Sequence, residues 1–384
     1  MLVSEALRSV SNVAHLLRNR LVRILYISDR GKGGIKNHVQ CLRRCLPANV
    51  VHYTIGEDEP FAGSSGHSFA EWKQIRRVVK TFQPDVIHLH TLPLLMCLYL
   101  KLFVRKPRFA SLHTPGDRKP PLKERILHWL VKPTYYLPVS GVTWHGFQKW
   151  YKGVKGEVFF NPIEMPKAQL TVSGLQLAVG AEAQNSKLKT QNPVAEPQNS
   201  KLQTPNCNLI AGLIGRWADQ KDWPSFAKVT SFVAQKLPSV AFWGVGVSQG
   251  EAENRLGNLS HHIAWKGFQA NGREWIGKMD LFILTSKHEE LPTVVLEAFL
   301  MKTAICGYIP RGGMTDILAF SNGALKSVFI EERDPQKLAT IVQRLLEDED
   351  LRQRVVEDGW QIVTKHFDAR KNCKHLVEIY GSRF

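Results

Sequence analysis

The sequence has few cysteines and no apolar run long enough to span a membrane. Its 384 residues contain six cysteines and no CxxC pair, which excludes a disulfide scaffold and predicts reduced thiols in a cytoplasm-like compartment. The most apolar run, residues 92–104, holds 13 residues including Lys101, whereas a transmembrane helix needs about 20. The N-terminus also lacks the compact apolar core of a signal peptide.

Acidic residues are scarce in the first half of the chain, which is therefore strongly basic. Residues 1–165 hold 25 lysines and arginines against 11 acidic residues, while residues 166–384 hold 26 against 23. A basic half joined to a nearly neutral half predicts that one half meets a negative surface or an anionic substrate. Hydrophobic residues make up 43% of the chain and charged residues 22%, which excludes disordered and collagen-like chains.

Residues 1–22 are predicted to form an amphipathic N-terminal helix. Apolar side chains recur there at steps of three or four residues, with Arg8, His15 and Arg18 between them. The apolar positions are Val3, Leu7, Val10, Ala14, Leu17 and Leu21. Such a helix can lie on an anionic membrane surface, and it can equally pack against the domain that follows.

From Arg23 onward, short β-rich runs alternate with helix-length segments, which predicts parallel sheets covered by helices on both faces. The alternation stops at residues 171–207, where QNSKLKTQNP is followed by the near-repeat QNSKLQTPN, and this polar composition predicts a linker or insertion. The predicted fold class is α/β, with two doubly wound Rossmann-like domains, residues 23–170 and 208–365, facing each other across a cleft. The predicted strands are residues 23–28, 50–55, 85–90, 108–113, 135–140, 156–160, 208–215, 240–245, 262–267, 280–286 and 303–308.

Two glycines, Gly33 and Gly34, lie where the first predicted strand turns into a helix. Glycines there let backbone N–H groups approach an anion at the positive end of the helix. The segment does not match GxGxxG, and no acidic residue ends the second strand at the spacing a dinucleotide ribose requires. A phosphate-binding loop and a tight turn without a ligand therefore both remain open.

Charged residues cluster at the predicted mouth of the second sheet. Arg216 and Lys221 lie five positions apart after its first strand, and two cations at that place suit a diphosphate. Glu289 lies in a predicted loop, and Glu297 lies about two turns into the helix that follows. A carboxylate in the loop can accept hydrogen bonds from sugar hydroxyls, and one on the helix can bind two hydroxyls of a ribose.

Three histidines end neighbouring strands of the first predicted sheet. His88 and His90 share one face of their strand, and His113 begins the loop after the next strand. Three histidines could form a zinc site. No acidic or cysteine ligand accompanies them at metal spacing, so histidines that line the cleft are the favoured interpretation. No nucleophile elbow, P-loop or HExxH motif occurs.

In their order along the chain, these segments resemble the retaining nucleotide-sugar glycosyltransferases of the GT-B architecture, in particular family 4. The resemblance runs from about Arg23 to the C-terminus and leaves out residues 171–207. Its most specific segments are GRWADQK (215–221), EELPTVVLEA (289–298) and GGMTDIL (312–318). Weaker segments in the expected order are GGIKNHV (33–39), VIHLHT (86–91), LHTPG (112–116), PVS (138–140) and FNPIE (160–164).

The resemblance implies a role for each matching charged residue. Arg216 and Lys221 would neutralise the donor diphosphate, Glu297 would bind the nucleotide ribose, and Glu289 would contact the transferred sugar. His113 would lie beside the reacting carbon. Fixed cations and helix N-termini stabilise a departing nucleoside diphosphate, so no metal or other cofactor is expected.

The resemblance also implies donor contacts from backbone amides and an acceptor side on the first domain. The donor-side residues are Gly33, Gly34, Leu291, Pro292 and Thr293, with the backbone amides at Gly33, Gly34 and near Leu291. The candidate acceptor-side residues are His90, Arg118, Lys119, Ser140 and Asn161. A C-terminal helix, residues 366–384, would pack back on the first domain.

Three positions depart from the family pattern. Glu290 stands where glycine is usual, so its side chain must point away from phosphate or lower the donor affinity. Asp316 replaces a glutamate, and NPIE replaces the commoner Asn-Gly-Ile-Asp.

The predicted function is transfer of a sugar from a nucleotide-diphosphate donor to a glycan or lipid-linked acceptor, with retention of configuration. We expect a cytoplasmic protein, with peripheral attachment to the inner face of an anionic membrane, and no specific nucleic acid partner. Two alternatives stay open: a nucleotide-sugar epimerase of the same fold, and a non-catalytic protein that binds anionic lipid or nucleic acid. No pair of carboxylates suits a covalent glycosidase mechanism.

Overall fold

The structure is a computed structural model that describes residues 21–28, 34–47, 49–60, 62, 69–113, 119–166 and 209–382. The predicted N-terminal helix up to residue 20 and the predicted linker at 171–207 lie outside these ranges. No helix within the ranges is both long and apolar enough to cross a bilayer.

The first domain is a five-stranded parallel sheet in the order β2-β1-β3-β4-β5, covered by helices. Its strands are β1 (Val22–Ile27), β2 (Val50–Ile55), β3 (Val86–Leu89), β4 (Arg108–Leu112) and β5 (Tyr135–Pro138). Its helices are α1 (Gly34–Cys45), α2 (Phe69–Phe82), α3 (Leu94–Phe103), α4 (Leu122–Val131) and α5 (Gly141–Trp150). Most strand positions are buried because helices cover both faces of the sheet, and β3 is buried at all four positions.

The strand predicted at residues 156–160 is wrong. The segment runs beside the edge strand β5, where the Glu157 amide donates to the carbonyl of Tyr136, and only Gly156 forms a bridge with that strand. Pro138 of β5 has no N–H group, so it cannot donate the next bond of a ladder. The pairing therefore stays too short to form a strand.

The second domain has a six-stranded parallel sheet in the order β13-β11-β9-β6-β7-β8, and β10 and β12 pair separately. Its strands are β6 (Leu209–Ile214), β7 (Val240–Val245), β8 (Ile263–Trp265), β9 (Leu281–Leu284), β10 (His288–Glu289), β11 (Ala304–Tyr308), β12 (Arg311–Gly312) and β13 (Phe329–Ile330). Its helices are α6 (Trp223–Lys236), α7 (Gln249–Leu256), α8 (Gly272–Ile276), α9 (Thr293–Leu300), α10 (Met314–Ala319), α11 (Pro335–Glu347) and α12 (Glu349–His366), with short 3₁₀ turns at Asp219–Lys221, Gly257–Ser260 and Lys326–Val328. The predicted fold class, two doubly wound parallel α/β domains, is confirmed.

The chain crosses between the domains twice, and the two crossings are hydrogen-bonded to each other. The Ile163 amide donates to the Phe367 carbonyl at 2.9 Å, and the Ala369 amide donates to the Ile163 carbonyl at 3.0 Å. Both Ile163 and Phe367 are buried in the core of the second domain. The last helix, α13 (Ala369–Gly381), then packs against α1 of the first domain.

A buried polar chain fixes α13 onto the first sheet. The Tyr380 hydroxyl lies 2.6 Å from Nδ1 of His88, and Nε2 of the same ring lies 2.8 Å from the Ser111 hydroxyl. Both His88 ring nitrogens are therefore satisfied inside the core, although burial lowers the pKa of His88 to about 3. This series of hydrogen bonds joins the C-terminal helix to β3 and β4.

Tyr380→Phe should lower the free energy of unfolding by about 1–3 kcal/mol, because it leaves Nδ1 of buried His88 without its partner. Urea denaturation of the purified chain measures the effect. Tyr99→Phe is the matched control, since no described residue bonds its hydroxyl. A loss no larger than that of the control would show that the bond does not secure the helix.

Candidate active site

A cavity of about 790 Å³ lies between the two domains. Polar and charged side chains reach it from both domains, because the helices that follow parallel strands start at the carboxyl edges of the sheets. The first-domain side chains include Asn37, His38, Arg44, Asn161 and Glu164. The second-domain side chains include Asn271, Arg273, Glu274, Thr293 and Glu297.

Lys221 and Glu289 form an ion pair at the carboxyl edge of the second sheet. Lys221 Nζ donates to Glu289 Oε1 at 2.6 Å, and only 15% of the lysine side chain and 11% of the glutamate side chain are exposed. Gly215 leaves room for the lysine stem, since a Cβ there would lie 3.2 Å from Lys221 Cγ. The lysine charge is thus held in one place and partly shielded from water.

Two glycines of the GGMTDIL segment hold the loop that carries Glu289. Gly312 pairs with Glu289 between the short strands β12 and β10. Its φ is +123°, and a Cβ at this position would come within 1.8 Å of the Glu289 carbonyl oxygen. The Gly313 amide lies 3.0 Å from the carbonyls of both Glu289 and Glu290. Only glycine fits at position 312 without displacing the loop.

Glu297 lies in the second turn of α9 and faces the interdomain cavity. Burial raises its pKa, while the nearby positive charges of Arg273 and Lys221 oppose that effect. Leu291 and Pro292 are buried and lead into the helix, and Thr293 is its first residue and lines the same cavity. The segment therefore directs a helix N-terminus and a carboxylate toward one space.

Arg216 lies apart from this ion pair. It follows β6, its side chain is exposed, and its backbone carbonyl accepts a hydrogen bond from the Trp223 ring at 3.2 Å. Among the residues that the structure describes, no carboxylate pairs with its guanidinium. Arg216 is therefore on the same loop as Lys221 but is not engaged with it.

Asp316 bridges the cleft between the domains. Its Oδ2 accepts a hydrogen bond of 2.7 Å from the Gly141 amide, at the first residue of α5. Buried Ser140 caps the same helix, since its hydroxyl accepts from the Thr143 amide. A Cβ at Gly141 would lie 2.7 Å from Asp316 Oδ1, so a larger residue there would push the carboxylate aside. The aspartate that departs from the family pattern thus forms an interdomain contact.

The histidines at the cleft group differently from the sequence prediction. His90 and His113 lie together, with His90 Nδ1 at 3.1 Å from His113 Nε2, and the third ring beside them is that of His38. One nitrogen from each of these three rings lies within 4.8 Å of the others. His88 cannot take part because both of its nitrogens are bonded in the core. The predicted trio of His88, His90 and His113 is therefore corrected.

The remaining predicted site residues occupy varied environments. Asn161 is buried and lines the cavity, Lys119 is exposed, and Gly34 is the first residue of α1. Gly33 and Arg118 lie outside the described residues. The half-buried Glu290 follows Glu289, and burial raises the pKa of its carboxyl group.

Sequence reasoning did not select His38 or Arg273 as site residues. His38 lies in the quoted GGIKNHV segment, one turn into α1, where a residue following a strand end can face the cleft. Arg273 lies in the short helix α8, outside every quoted motif. The signal for His38 was therefore present, while nothing in the local sequence distinguished Arg273 from other surface arginines.

Models of two glycosyltransferase families match the chain. The model for glycosyl transferases group 1 matches residues 208–348, and the model for glycosyltransferase family 4 matches residues 6–142. Together they cover both domains in the order of the GT-B architecture. The chain is a GT-B glycosyltransferase of the family 4 type.

Two curated proteins resemble parts of this family 4 chain. One is LpsE, the lipopolysaccharide core biosynthesis glycosyltransferase of Rhizobium meliloti. The two sequences are 24% identical over 176 residues, a region that covers 44% of the chain and 49% of LpsE. The other is TuaC of Bacillus subtilis, which is named for teichuronic acid biosynthesis. The two sequences are 26% identical over 198 residues, a region that covers 51% of the chain and 48% of TuaC. The chain thus spans about half the length of the curated relatives it matches.

Solved structures share the fold of this family 4 chain at low sequence identity. Anabaena HepE, crystallised with UDP and glucose, has a TM-score of 0.64 at 19% identity, over 94% of the chain and all of HepE. A glycosyltransferase from Rickettsia africae has a TM-score of 0.69 at 15% identity, over 95% of the chain and 98% of that protein. These likenesses confirm the fold.

Acid should destabilise this protein through its buried histidines. Burial lowers the pKa of His113 to about 4 and holds the pKa of His38 and His90 well below the usual value. Between about pH 6.5 and pH 4 the unfolded chain therefore binds protons that the native chain does not, so stability falls as pH falls. We expect a loss of about 1 kcal/mol per buried histidine between about pH 7.5 and pH 5.5.

Urea denaturation at several pH values measures this loss. His38→Asn should make the loss of unfolding free energy on acidification smaller by the contribution of one histidine. His261→Asn, at an exposed position, should leave that loss unchanged. An unfolding free energy that stays constant over this pH range would contradict the predicted burial of neutral rings.

Proposed function

We propose that the chain transfers a sugar from a nucleotide-diphosphate donor bound at the second domain to an acceptor held by the first. The observation that carries the proposal is the largely buried ion pair of Lys221 and Glu289, whose lysine charge acts on Glu297, a residue that lines the cavity between the domains. The family membership supports this class of reaction.

Lys221 and Arg216 would stabilise the leaving diphosphate. Negative charge grows on the leaving oxygen during transfer, and a fixed cation in a partly dry site stabilises it more than a solvated one does. Glu289 holds Lys221 in place before the donor arrives. The N–H groups at the start of α9, near Leu291 and Thr293, would add their partial positive charge.

The carboxylates would recognise the neutral parts of the donor. Glu297 faces the cavity from the second turn of α9, where it would accept hydrogen bonds from ribose hydroxyls. Glu289 would contact the transferred sugar. HepE was crystallised with UDP and with UDP-glucose, so a uridine-diphosphate sugar is the first donor to test.

The acceptor side would lie on the first domain, near His90, Ser140 and Asn161. His113 would lie beside the reacting carbon, and attack from the side of the leaving group would retain the configuration.

The lysine and arginine of the site would neutralise the diphosphate, so we expect transfer without a bound metal. Removing metals with a chelator before the assay tests it.

The acceptor would be a glycan or a lipid-linked glycan precursor at an anionic membrane surface, with the protein in the cytoplasm. LpsE is named for lipopolysaccharide core biosynthesis and TuaC for teichuronic acid biosynthesis. The basic first half, with 25 basic and 11 acidic residues in positions 1–165, supports an anionic partner.

The double variant Lys221→Ala/Glu289→Ala should lower turnover of the donor by about 100-fold or more, because it removes the cation at the leaving group. Removing both partners avoids an unpaired buried charge, so the fold should survive better than in either single variant. Donor hydrolysis or transfer by the purified protein gives the rate.

The matched control is Asp219→Ala/Lys287→Ala. This pair joins the same two loops, with its charged atoms 2.5 Å apart, but its side chains are 86% and 40% exposed. It should leave turnover nearly unchanged. Wild-type turnover in the Lys221 and Glu289 double variant would refute the proposed transfer site.

A nucleoside diphosphate that fits the site should raise the melting temperature, because it binds only the folded chain. At about 100 times its Kd, the gain is about 2.7 kcal/mol, or several degrees for a chain of this size. A thermal-shift panel of UDP, GDP and ADP identifies the base. Glu297→Gln should weaken the shift, and a shift that Glu297→Gln leaves intact would contradict the ribose contact.

A further inference from the structure

Large apolar side chains are exposed together on one side of the first domain. Of the eleven such side chains exposed in the described part of the chain, six lie on the helices α2, α3 and α4. We call this set the apolar face. It consists of Phe69, Leu102, Phe103, Leu122, Ile126 and Trp129, whose exposed fractions run from 44% to 70%.

Helix α4 exposes apolar side chains on its outer side and also buries apolar side chains on its inner side. Leu127 and Val131 are buried against the domain, while Leu122, Ile126 and Trp129 are exposed at steps of four and three residues. Residues at these steps share one side of a helix. The exposed Lys123 and Arg125 lie beside these side chains, so the outer side of α4 combines exposed apolar groups with positive charge.

Contacts between neighbouring helices join these side chains into one surface. The rings of Trp72 on α2 and Phe103 on α3 lie 5.6 Å apart. Lys101 on α3 reaches across to α4, where its Nζ lies 3.9 Å from the centre of the Trp129 ring. A contiguous exposed patch of this kind marks an interaction surface more often than scattered apolar residues do.

The charges around the apolar face are almost all positive. Residues 69–132 contain 13 lysines and arginines and four acidic residues. Of the acidic residues within the described ranges, Glu71 and Asp85 are buried and Glu124 is half-buried. The exposed basic residues nearest in sequence to the face are Lys73, Lys101, Arg105, Lys106, Lys119, Lys123, Arg125 and Lys132.

We propose that the apolar face docks the protein on an anionic lipid bilayer. Apolar side chains that enter the boundary between headgroups and acyl chains, with lysines and arginines at anionic headgroups, are the two components of interfacial binding. Tryptophan is favoured at that depth because its ring is apolar and its N–H group is polar. A soluble protein partner of neutral charge would leave the basic border unmatched.

The position of α4 connects this surface with the cleft. The helix begins nine residues after His113, on the connection that leaves the carboxyl edge of the first sheet. Docking through α4 would hold that edge near the membrane, where a lipid-linked acceptor has its sugar. This last step rests on the proposed function, whereas bilayer binding itself does not.

Vesicle sedimentation without any nucleotide tests the surface. The full chain should bind vesicles of phosphatidylcholine and phosphatidylglycerol, and bind vesicles of phosphatidylcholine alone at least about tenfold more weakly. Leu122→Ser/Trp129→Ser should reduce binding to the anionic vesicles by about tenfold or more, because it removes apolar area from the face. Arg105→Gln/Lys106→Gln should reduce it by about fivefold per residue.

Trp150→Ser is the matched control, because Trp150 is also an exposed tryptophan of the first domain, 43% exposed, but lies on α5. Equal melting temperatures of all variants establish that they fold. Unchanged binding by Leu122→Ser/Trp129→Ser, or an equal loss for Trp150→Ser, would overturn the proposal. Self-association in solution that Leu122→Ser/Trp129→Ser abolishes, with no vesicle binding, would assign the face to a second copy and also overturn it.

Discussion

The paired crossings between the domains set the geometry on which the site depends. At Ile163 the chain leaves the first domain, at Phe367 it returns, and the two segments bond to each other through their backbones. Because both side chains are buried in the second core, the crossings cannot slide independently. The carboxyl edges of the two sheets therefore stay opposed, with a cavity between them that is lined from both sides.

Within this frame, the cation at the second sheet is placed by packing as much as by charge. Lys221 reaches Glu289 over Gly215, and Glu289 is held by the backbone of Gly312 and Gly313. A partly buried ion pair gains little net stability, since desolvation offsets most of the attraction. The arrangement makes better sense as a fixed charge for an anion, because a site that is already oriented needs no reorganisation when the anion arrives.

Much of the fold and part of the site could be predicted from the sequence, and the failures have physical causes. Short apolar runs indicated the strands, because a strand buried on both faces of a sheet is apolar on both. The spacing of Glu289 and Glu297 indicated a loop followed by a helix. The grouping of His38 with His90 and His113 could not be predicted from local sequence. These residues lie in three separate segments, which only the order of the strands in the sheet brings together. The strand predicted at 156–160 does not form because Pro138 has no N–H group to continue the pairing with β5.

The apolar face and the cleft have opposite relations to water, and this contrast explains the distribution of charge in the chain. In the cleft, the charges of Lys221 and Glu289 are largely removed from water and are held by each other. On the apolar face, leucine and tryptophan are left in water, at a cost of about 25 cal/mol per Å² relative to burial. A bilayer would remove that cost and neutralise the surrounding lysines at the same time. On this proposal, the surplus of basic residues in the first half serves a membrane surface, while the charges of the second half would meet the donor.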